Sequence, residues 1–547
     1  MKQKFFASSL RVGVSVLLAL FLTFSIASES AQAVLRARKI SGGTPPFADV
    51  DDEFLISNDS RYVVFAEDRE IDGVYGVYSA LLSGGDSVRL TPPARANRGY
   101  PTFLISPDSQ WVVYCLDVLI NGLYEVFSVP ISGGTPIRLN RDLVNGDWVS
   151  MIDISPDSLR VSFVLTDSYD HPELYSAPID GSEASLKLNQ YLYIDRKITS
   201  TAITPNSEFI VYNVDATTHE TFELWYSPLT ASDPKTLSGP VVAGGDVSNY
   251  KILPDSSGVV YYANQFVTSI HNIYRADFYS GDFASVDNLS NCLADFETLG
   301  QFEVTADSQT VVFSGDCWID LDADLYKVPV NGSASPTRLS HATGTEPDRR
   351  IFFEITPNQQ GVVFEEWLTS PDVGYLLYGN YLFPPLPTPL LISNSGPEWN
   401  GIGDFAVALN SERVVFNQSR NGTSMSKLFA RKLPPSVSNP IIPLTPVGPV
   451  NGDIEDFKIS PNSLAVVFMS HDYNLGEPDE LFLVPSVGGA ATKISAPFTR
   501  EDEFVYTYQI TPDNKRVIYL NYADGYGDGH LFVVEDVRLT FLPMVRR

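Results

Sequence analysis

The sequence predicts an all-β chain folded as a ring of ten four-stranded antiparallel units. Three observations carry that prediction. A Ser/Thr-Pro-Asp/Asn-Ser tetrad recurs ten times, counting degenerate copies, at near-constant spacing. Each copy is followed by a β-branched and aromatic run, the composition that suits a half-buried pleated surface. The 547 residues hold 38 Pro and 37 Gly, and 12% are aromatic, so turn formers break the chain into many short segments. Fixed-period self-similarity of this kind marks a repeat architecture and overrides any domain count read from length alone.

The first segment reads as an export signal. Lys2, Lys4 and Arg11 precede an apolar run over 12–26, and Ala31-Gln32-Ala33 supplies small residues for cleavage. Residues 1–33 are therefore expected to be removed after Ala33, leaving 34–547 as one exported propeller domain, secreted or periplasmic. No later stretch has the length and apolarity of a membrane span.

The repeats follow. Ser106-Pro107-Asp108-Ser109 recurs as Ser155-Pro156-Asp157-Ser158, Thr204-Pro205-Asn206-Ser207 and Ser460-Pro461-Asn462-Ser463. Near copies are Leu253-Pro254-Asp255-Ser256, Thr356-Pro357-Asn358 and Thr511-Pro512-Asp513-Asn514. Ser57-Asn58-Asp59-Ser60, Thr305-Ala306-Asp307-Ser308 and Ala408-Leu409-Asn410-Ser411 are degenerate. Taken at the Pro position they fall at 58, 107, 156, 205, 254, 306, 357, 409, 461 and 512, in steps of 49 and then 51 or 52. Within each unit a short apolar strand enters the tetrad, where Pro fixes φ and Asp or Asn can bond nearby backbone N–H groups. A second strand follows, as in Val112-Val113-Tyr114, and then a third, as in Leu123-Tyr124-Glu125-Val126-Phe127. A turn such as Ser132-Gly133-Gly134 leads into a short fourth strand marked by Arg138-Leu139-Asn140. Four antiparallel strands per unit, repeated radially, make a propeller blade.

These residues resemble the TolB-like β-propeller repeat, a relative of the WD-type repeats, over essentially the whole exported chain. The resemblance implies the fold and leaves function open. TolB carries a separate domain before its propeller and related propellers precede serine-peptidase domains; here the blades are expected to follow the signal directly, with no peptidase domain expected after the last one.

Spacing also predicts how the ring closes. From each fourth-strand Leu or Ile to the next Pro position the interval is 17 or 18 residues, and Ile40 to Asn58 obeys it, with Lys39-Ile40-Ser41 matching a fourth-strand ending. The last unit is short, with only 27 residues from Pro512 to Leu539. Residues near 35–41 are thus expected to complete the last blade and cover its edge. A single ten-bladed ring is favoured over two five-bladed rings, because the fifth-to-sixth junction has the same length as the others.

Charge bounds the partners. With 66 acidic against 37 basic residues and a formal charge of −29, the chain is not built to bind nucleic acid. Five histidines, His171, His219, His271, His471 and His530, are expected in loops joining second and third strands, and His341 in an inter-blade connection, all toward one face; solvation of polar loops explains them without a metal. The acidic loop holding Asp320, Asp322 and Asp324 suits an oxygen-liganded Ca²⁺ but lacks the Gly and terminal Glu of an EF-hand. Cys292 and Cys317 are expected to meet as a disulfide on one face of the sixth blade, with Cys115 a buried free thiol. No Gly-x-Ser-x-Gly elbow and no phosphate-binding Gly loop occurs. The expected function is a secreted, monomeric binding scaffold without a cofactor. It would hold a protein or glycan ligand on its loop face, with aromatics such as Tyr169, Trp318, Trp367, Tyr473 and Tyr526 as anchors. The alternative is a carbohydrate-active enzyme, a polysaccharide lyase or glycosidase, with its site built from rim loops.

Overall fold

The computed structural model describes residues 37–535 apart from 42–47, 94, 96–98, 119–121, 145, 269, 280–286, 291–300, 316–323, 342–350, 369–373, 396–398, 421–425, 435–438, 446–452, 472–477, 499–501 and 523–528. Its strands form ten four-stranded antiparallel sheets, each hydrogen-bonded in chain order, arranged in a ring as a ten-bladed β-propeller. Blades 1 to 10 span 50–89, 102–138, 148–187, 198–236, 247–288, 302–338, 353–391, 399–443, 453–493 and 504–534. The first strands line the inside of the ring. There Glu354 Oε2 accepts the Val407 N–H of the next blade, and Gln509 Nε2 donates to Phe54 O across the last junction. No helix among the described residues is long and apolar enough to cross a membrane.

The second and third strands alternate so that each blade buries one set of side chains against the blade before it and the other against the blade after it. Val63, Phe65 and Tyr78 of blade 1 pack with Ile518, Leu520 and Val533 of blade 10, whereas Val64 and Val77 pack with Phe103, Tyr114 and Val129 of blade 2. The core is therefore a circle of inter-blade seams. Paired aromatics recur in the sheets, such as Tyr114 on Phe127 and Phe163 on Tyr175, with centroids 5.4 and 5.6 Å apart.

The tetrad does more than turn the chain. Its first hydroxyl ties the hairpin: Ser106 Oγ donates to Asp108 Oδ1 and accepts the Trp111 N–H. Its fourth residue lies in the left-handed region in all ten blades, with φ between 58° and 64°. That conformation aims the fourth side chain at the preceding blade, where its oxygen accepts a backbone N–H. Asp59 N donates to Ser109 Oγ, Asp108 N to Ser158 Oγ, Asp157 N to Ser207 Oγ, Asn206 N to Ser256 Oγ and Asp255 N to Ser308 Oγ. Ala306 N donates to Gln359 Oε1, Asn358 N to Ser411 Oγ, Asn410 N to Ser463 Oγ and Asn462 N to Asn514 Oδ1. Asp513 N then donates to Ser60 Oγ and completes the circle. All ten bonds are 2.8–3.1 Å long. The fifth-to-sixth junction carries the same bond and a continuous core of Val260, Ile273, Phe302 and Phe313, so one ring forms and not two.

At the seam between the chain ends, Ala37–Lys39 pairs antiparallel with His530–Val534 as the outer strand of blade 10. Ile40 N–H donates to Leu531 O at 2.8 Å, and the Ile40 side chain is buried among Phe65, Leu531 and Val533. The Lys39-Ile40-Ser41 ending thus occupies the place that Arg89-Leu90-Thr91 holds in blade 1.

Candidate recognition surface on the loop face

The hairpin loops between second and third strands and the inter-blade connections share one end of every blade. On blade 3 they converge. Asp167 organises the loop: its Oδ1 accepts the N–H groups of Tyr169 and His171, both at 2.9 Å, which folds a tight turn with Asp170 at φ 61°. The turn leaves Tyr169 projecting outward, 69% exposed. It also brings His171 Nδ1 to 3.0 Å from Asp167 Oδ2. Partial burial raises the Asp167 carboxyl, but the bonds from His171 and Tyr169 outweigh it and hold the group below its ordinary range.

The connection from blade 3 to blade 4 supplies the other half. Tyr191 Oη lies 3.3 Å from His171 Nε2, and their rings are 5.4 Å apart. Tyr193 meets Tyr191 edge-on at 5.7 Å, and Tyr169 lies 6.2 Å from His171. In the neutral imidazole with Nδ1–H donated to Asp167, Nε2 accepts the Tyr191 O–H, and partners on both sides hold the ring. Tyr191, Tyr193 and Ile194 are 62%, 67% and 58% exposed. Three tyrosines and a histidine thus form a continuous, solvent-facing surface, with Ile194 exposed next in the chain. Trp148 and Val144, exposed at the same end of the same blade, and Tyr100, which packs on Tyr75 at 4.9 Å, extend the apolar surface along this face.

The other sequence candidates separate. His341 Nδ1 lies 2.5 Å from the buried Glu366 Oε2 and its ring stands edge-on to Tyr378, which fastens an inter-blade connection to blade 7. His271 is not in a loop: blade 5's hairpin strands run on to Val267 and from Ile270, and His271 stacks on Tyr262 at 4.9 Å. His471 and His530 are likewise strand-end residues. Extended pairing lengthens these strands beyond the polar positions where a sequence reading stops them. Asp324 is buried, with Oδ1 accepting from Ser340 Oγ at 2.7 Å and Oδ2 facing Arg338 at 3.0 Å. Asp320, Asp322, Cys292, Cys317, Trp318, Tyr473 and Tyr526 lie outside the described residues, and Trp367 is described only as part of a strand. Among the described residues, no group of three or more His, Cys, Asp or Glu side chains is arranged to hold a metal ion. Cys115 is a buried free thiol, pushed up to about 12 by burial.

One set of titratable groups was not singled out by sequence reasoning. Glu354 on the first strand of blade 7 and Glu365 on its second both face blade 8, and burial raises each to about 7, with the Asp404 charge adding to both. Asp404 is itself raised, chiefly by burial. Blades 3 and 6 also carry acids, Asp153 and Glu303, at the place of Glu354, whereas the place of Glu365 holds an uncharged residue such as Ala66 or Val164 in every other blade.

No family model matches the chain, and no curated protein matches it. Solved structures with a similar fold include dipeptidyl peptidase 4 of Porphyromonas gingivalis, at 13% identity over 67% of this chain and 57% of that one, with a TM-score of 0.42. An oligogalacturonate lyase of Vibrio parahaemolyticus matches at 13% identity over 61% of this chain and 91% of its own, with a TM-score of 0.35. A eukaryotic initiation factor matches at 10% identity, 77% and 93% coverage and a TM-score of 0.42. The chain thus spans little more than half the length of the peptidase, and likenesses this distant carry no argument about activity. What stands on its own geometry is a ten-bladed β-propeller with an aromatic surface on its loop face.

Proposed function

We propose that the chain is an exported binding scaffold, of the TolB-like repeat type, that engages a protein or glycan ligand through its loop face. The observation that carries the reading is the Tyr169–His171–Tyr191–Tyr193 surface, since exposed tyrosines held by a rigid frame give large contact area at little entropic cost. The ring of tetrad bonds supplies that frame. The amino-terminal segment supports export. Arrays of cell-surface proteins and glycans probed with the purified chain test this: a saturable ligand is expected whose affinity falls at least ten-fold in Tyr191→Ala/Tyr193→Ala. Ligands that ignore this double variant would move the function elsewhere on the ring.

A second reading has one specific observation in its favour. The order Tyr191 O–H, His171 Nε2, His171 Nδ1–H, Asp167 resembles the way a general base is oriented in acid–base catalysis. A lyase or glycosidase reading therefore predicts glycan turnover that His171→Ala abolishes while ligand binding survives. A scaffold shows no turnover.

A further inference from the structure

At the tetrad end of the blades, away from the loop face, blades 1, 2 and 4 each close the seam to the next with two side chains. One is the residue just before the tripartite core of the second strand; the other lies mid-way along the third. In blade 1 they are Tyr62 and Ser79, in blade 2 Trp111 and Ser128, in blade 4 Phe209 and Tyr226. Ser79 and Ser128 donate to Ile131 O and Ile179 O of the following blade, and Tyr62, Trp111 and Phe209 pack into the following seams. In blade 7 both positions are glycine, Gly361 and Gly379, and no other blade has glycine at both.

Neither glycine is among the residues with positive φ, so the backbone does not demand them. Within a strand, glycine weakens pairing and marks a place kept open for something else. The space is there: a cavity of about 120 Å³ between blades 7 and 8, walled by Val363, Leu390, Leu433 and Pro434. Three of its polar neighbours are already engaged. Ser411 Oγ accepts the Asn358 N–H, Thr356 Oγ1 donates to Asn358 Oδ1, and the Asn380 amide is bonded to Leu339 O, Tyr381 N and Leu386 N. An occupant therefore gains no hydrogen bond from Ser411, Thr356 or Asn380 and meets chiefly the apolar wall, in a space close to the roughly 150 Å³ known to hold a benzene ring.

We propose that this wedge is an acceptor pocket for an aromatic ring presented from outside, the Phe, Tyr or Trp side chain of a partner peptide. The chain itself shows what the wedge fits, because blades 1, 2 and 4 fill the equivalent place with Tyr62, Trp111 and Phe209. The pocket is independent of the loop-face surface and stands or falls without it.

Indole and N-acetyl-tryptophanamide are the probes, with imidazole as a polar ring control. In methyl-labelled full-length protein, both aromatic probes are expected to shift the Leu433 and Val363 resonances saturably, and imidazole is not. Gly361→Phe, which copies Phe209, should weaken both at least ten-fold; the nearest atom to a Cβ there is the backbone Asn380 O at 3.1 Å, a tight contact, with Thr356 atoms beyond 3.4 Å. Should that variant fail to fold, Gly379→Ser, which copies blades 1–3, must still weaken them at least three-fold. Absence of saturable shifts at Leu433, equal binding of imidazole, or undiminished binding in the plugged variants overturns the proposal. Binding of indole without the amide overturns the side-chain reading.

Discussion

Ser158→Ala tests whether the inter-blade bonds of the tetrads hold the ring. Ser158 is 3% exposed, sits at φ 64°, and its Oγ accepts the Asp108 N–H of blade 2 at 2.9 Å. Alanine keeps the left-handed backbone penalty and removes the acceptor, which leaves a partly buried N–H without its partner at a cost of about 1–2 kcal/mol. Glycine removes the same acceptor but relieves roughly 1 kcal/mol of left-handed strain. Ser158→Gly should therefore be about 1 kcal/mol more stable than Ser158→Ala while losing the same bond. Asparagine should be tolerated, because Asn514 keeps the bond at 2.8 Å in the native ring. Urea denaturation measures the order wild type, Gly, Ala. Amide exchange at Asp108 reads the bond directly and should speed up in both Ala and Gly variants. An Asp108 amide as protected in Ser158→Ala as in wild type would refute the argument, whatever happens to global stability.

Other consequences follow from the same geometry. Ile40→Ala empties a fully packed position at the closing seam and should cost about 2–5 kcal/mol, with faster amide exchange in His530–Val534; a change below 0.5 kcal/mol would mean the seam does not depend on this strand. Glu354 and Glu365 have folded-state values near 7 against 4.5 for the free group, so the folded chain binds more protons than the unfolded one between those values. Stability should therefore fall as pH rises from about 4.5 through 7, by about 1–2 kcal/mol per carboxyl once the full shift is halved for the water that reaches each. Glu365→Gln should raise the thermal midpoint at pH 8 and leave it unchanged at pH 4; equal effects at both would reject the linkage. We further propose the Cys292–Cys317 disulfide, to be sought by peptide mapping without reduction, where alkylation of both cysteines would exclude it.

The repeat count, the blade plan and the closing strand were legible because they rest on local chemistry at fixed spacing. Lys39-Ile40-Ser41 could be matched to Arg89-Leu90-Thr91 by counting alone, and the structure pairs it as that match requires. The purpose of the tetrad's last serine was not legible. Ser109 reads as an ordinary turn residue, and only the assembled ring shows its Oγ on the Asp59 N–H, fifty residues away. The recognition surface was half legible. Tyr169 stands in an obvious loop, but Tyr191 and Tyr193 belong to a connection that only the blade geometry brings beside it. Their one sequence sign is the Tyr-Leu-Tyr alternation, which sends Leu192 inward at 3% exposed and both tyrosines out.

The seam between blades 7 and 8 shows why a repeat protein is best read by where its repeats disagree. Positions that close a ring are constrained at every junction, so a departure at one junction is a local cost that the other nine do not carry. Here two departures meet in one seam. Glu365 places a carboxyl where every other repeat carries an uncharged side chain, and Gly361 with Gly379 removes the plug at the other end. The tetrad bond across this seam, Asn358 N to Ser411 Oγ at 2.9 Å, is intact. The seam is thus fastened by the common device while its own side chains are spent on other properties: proton binding near neutrality and an open apolar wedge. A seam that has lost fit at both ends yet kept its fastening has the form of a site built at the expense of packing, rather than of a repeat in decay.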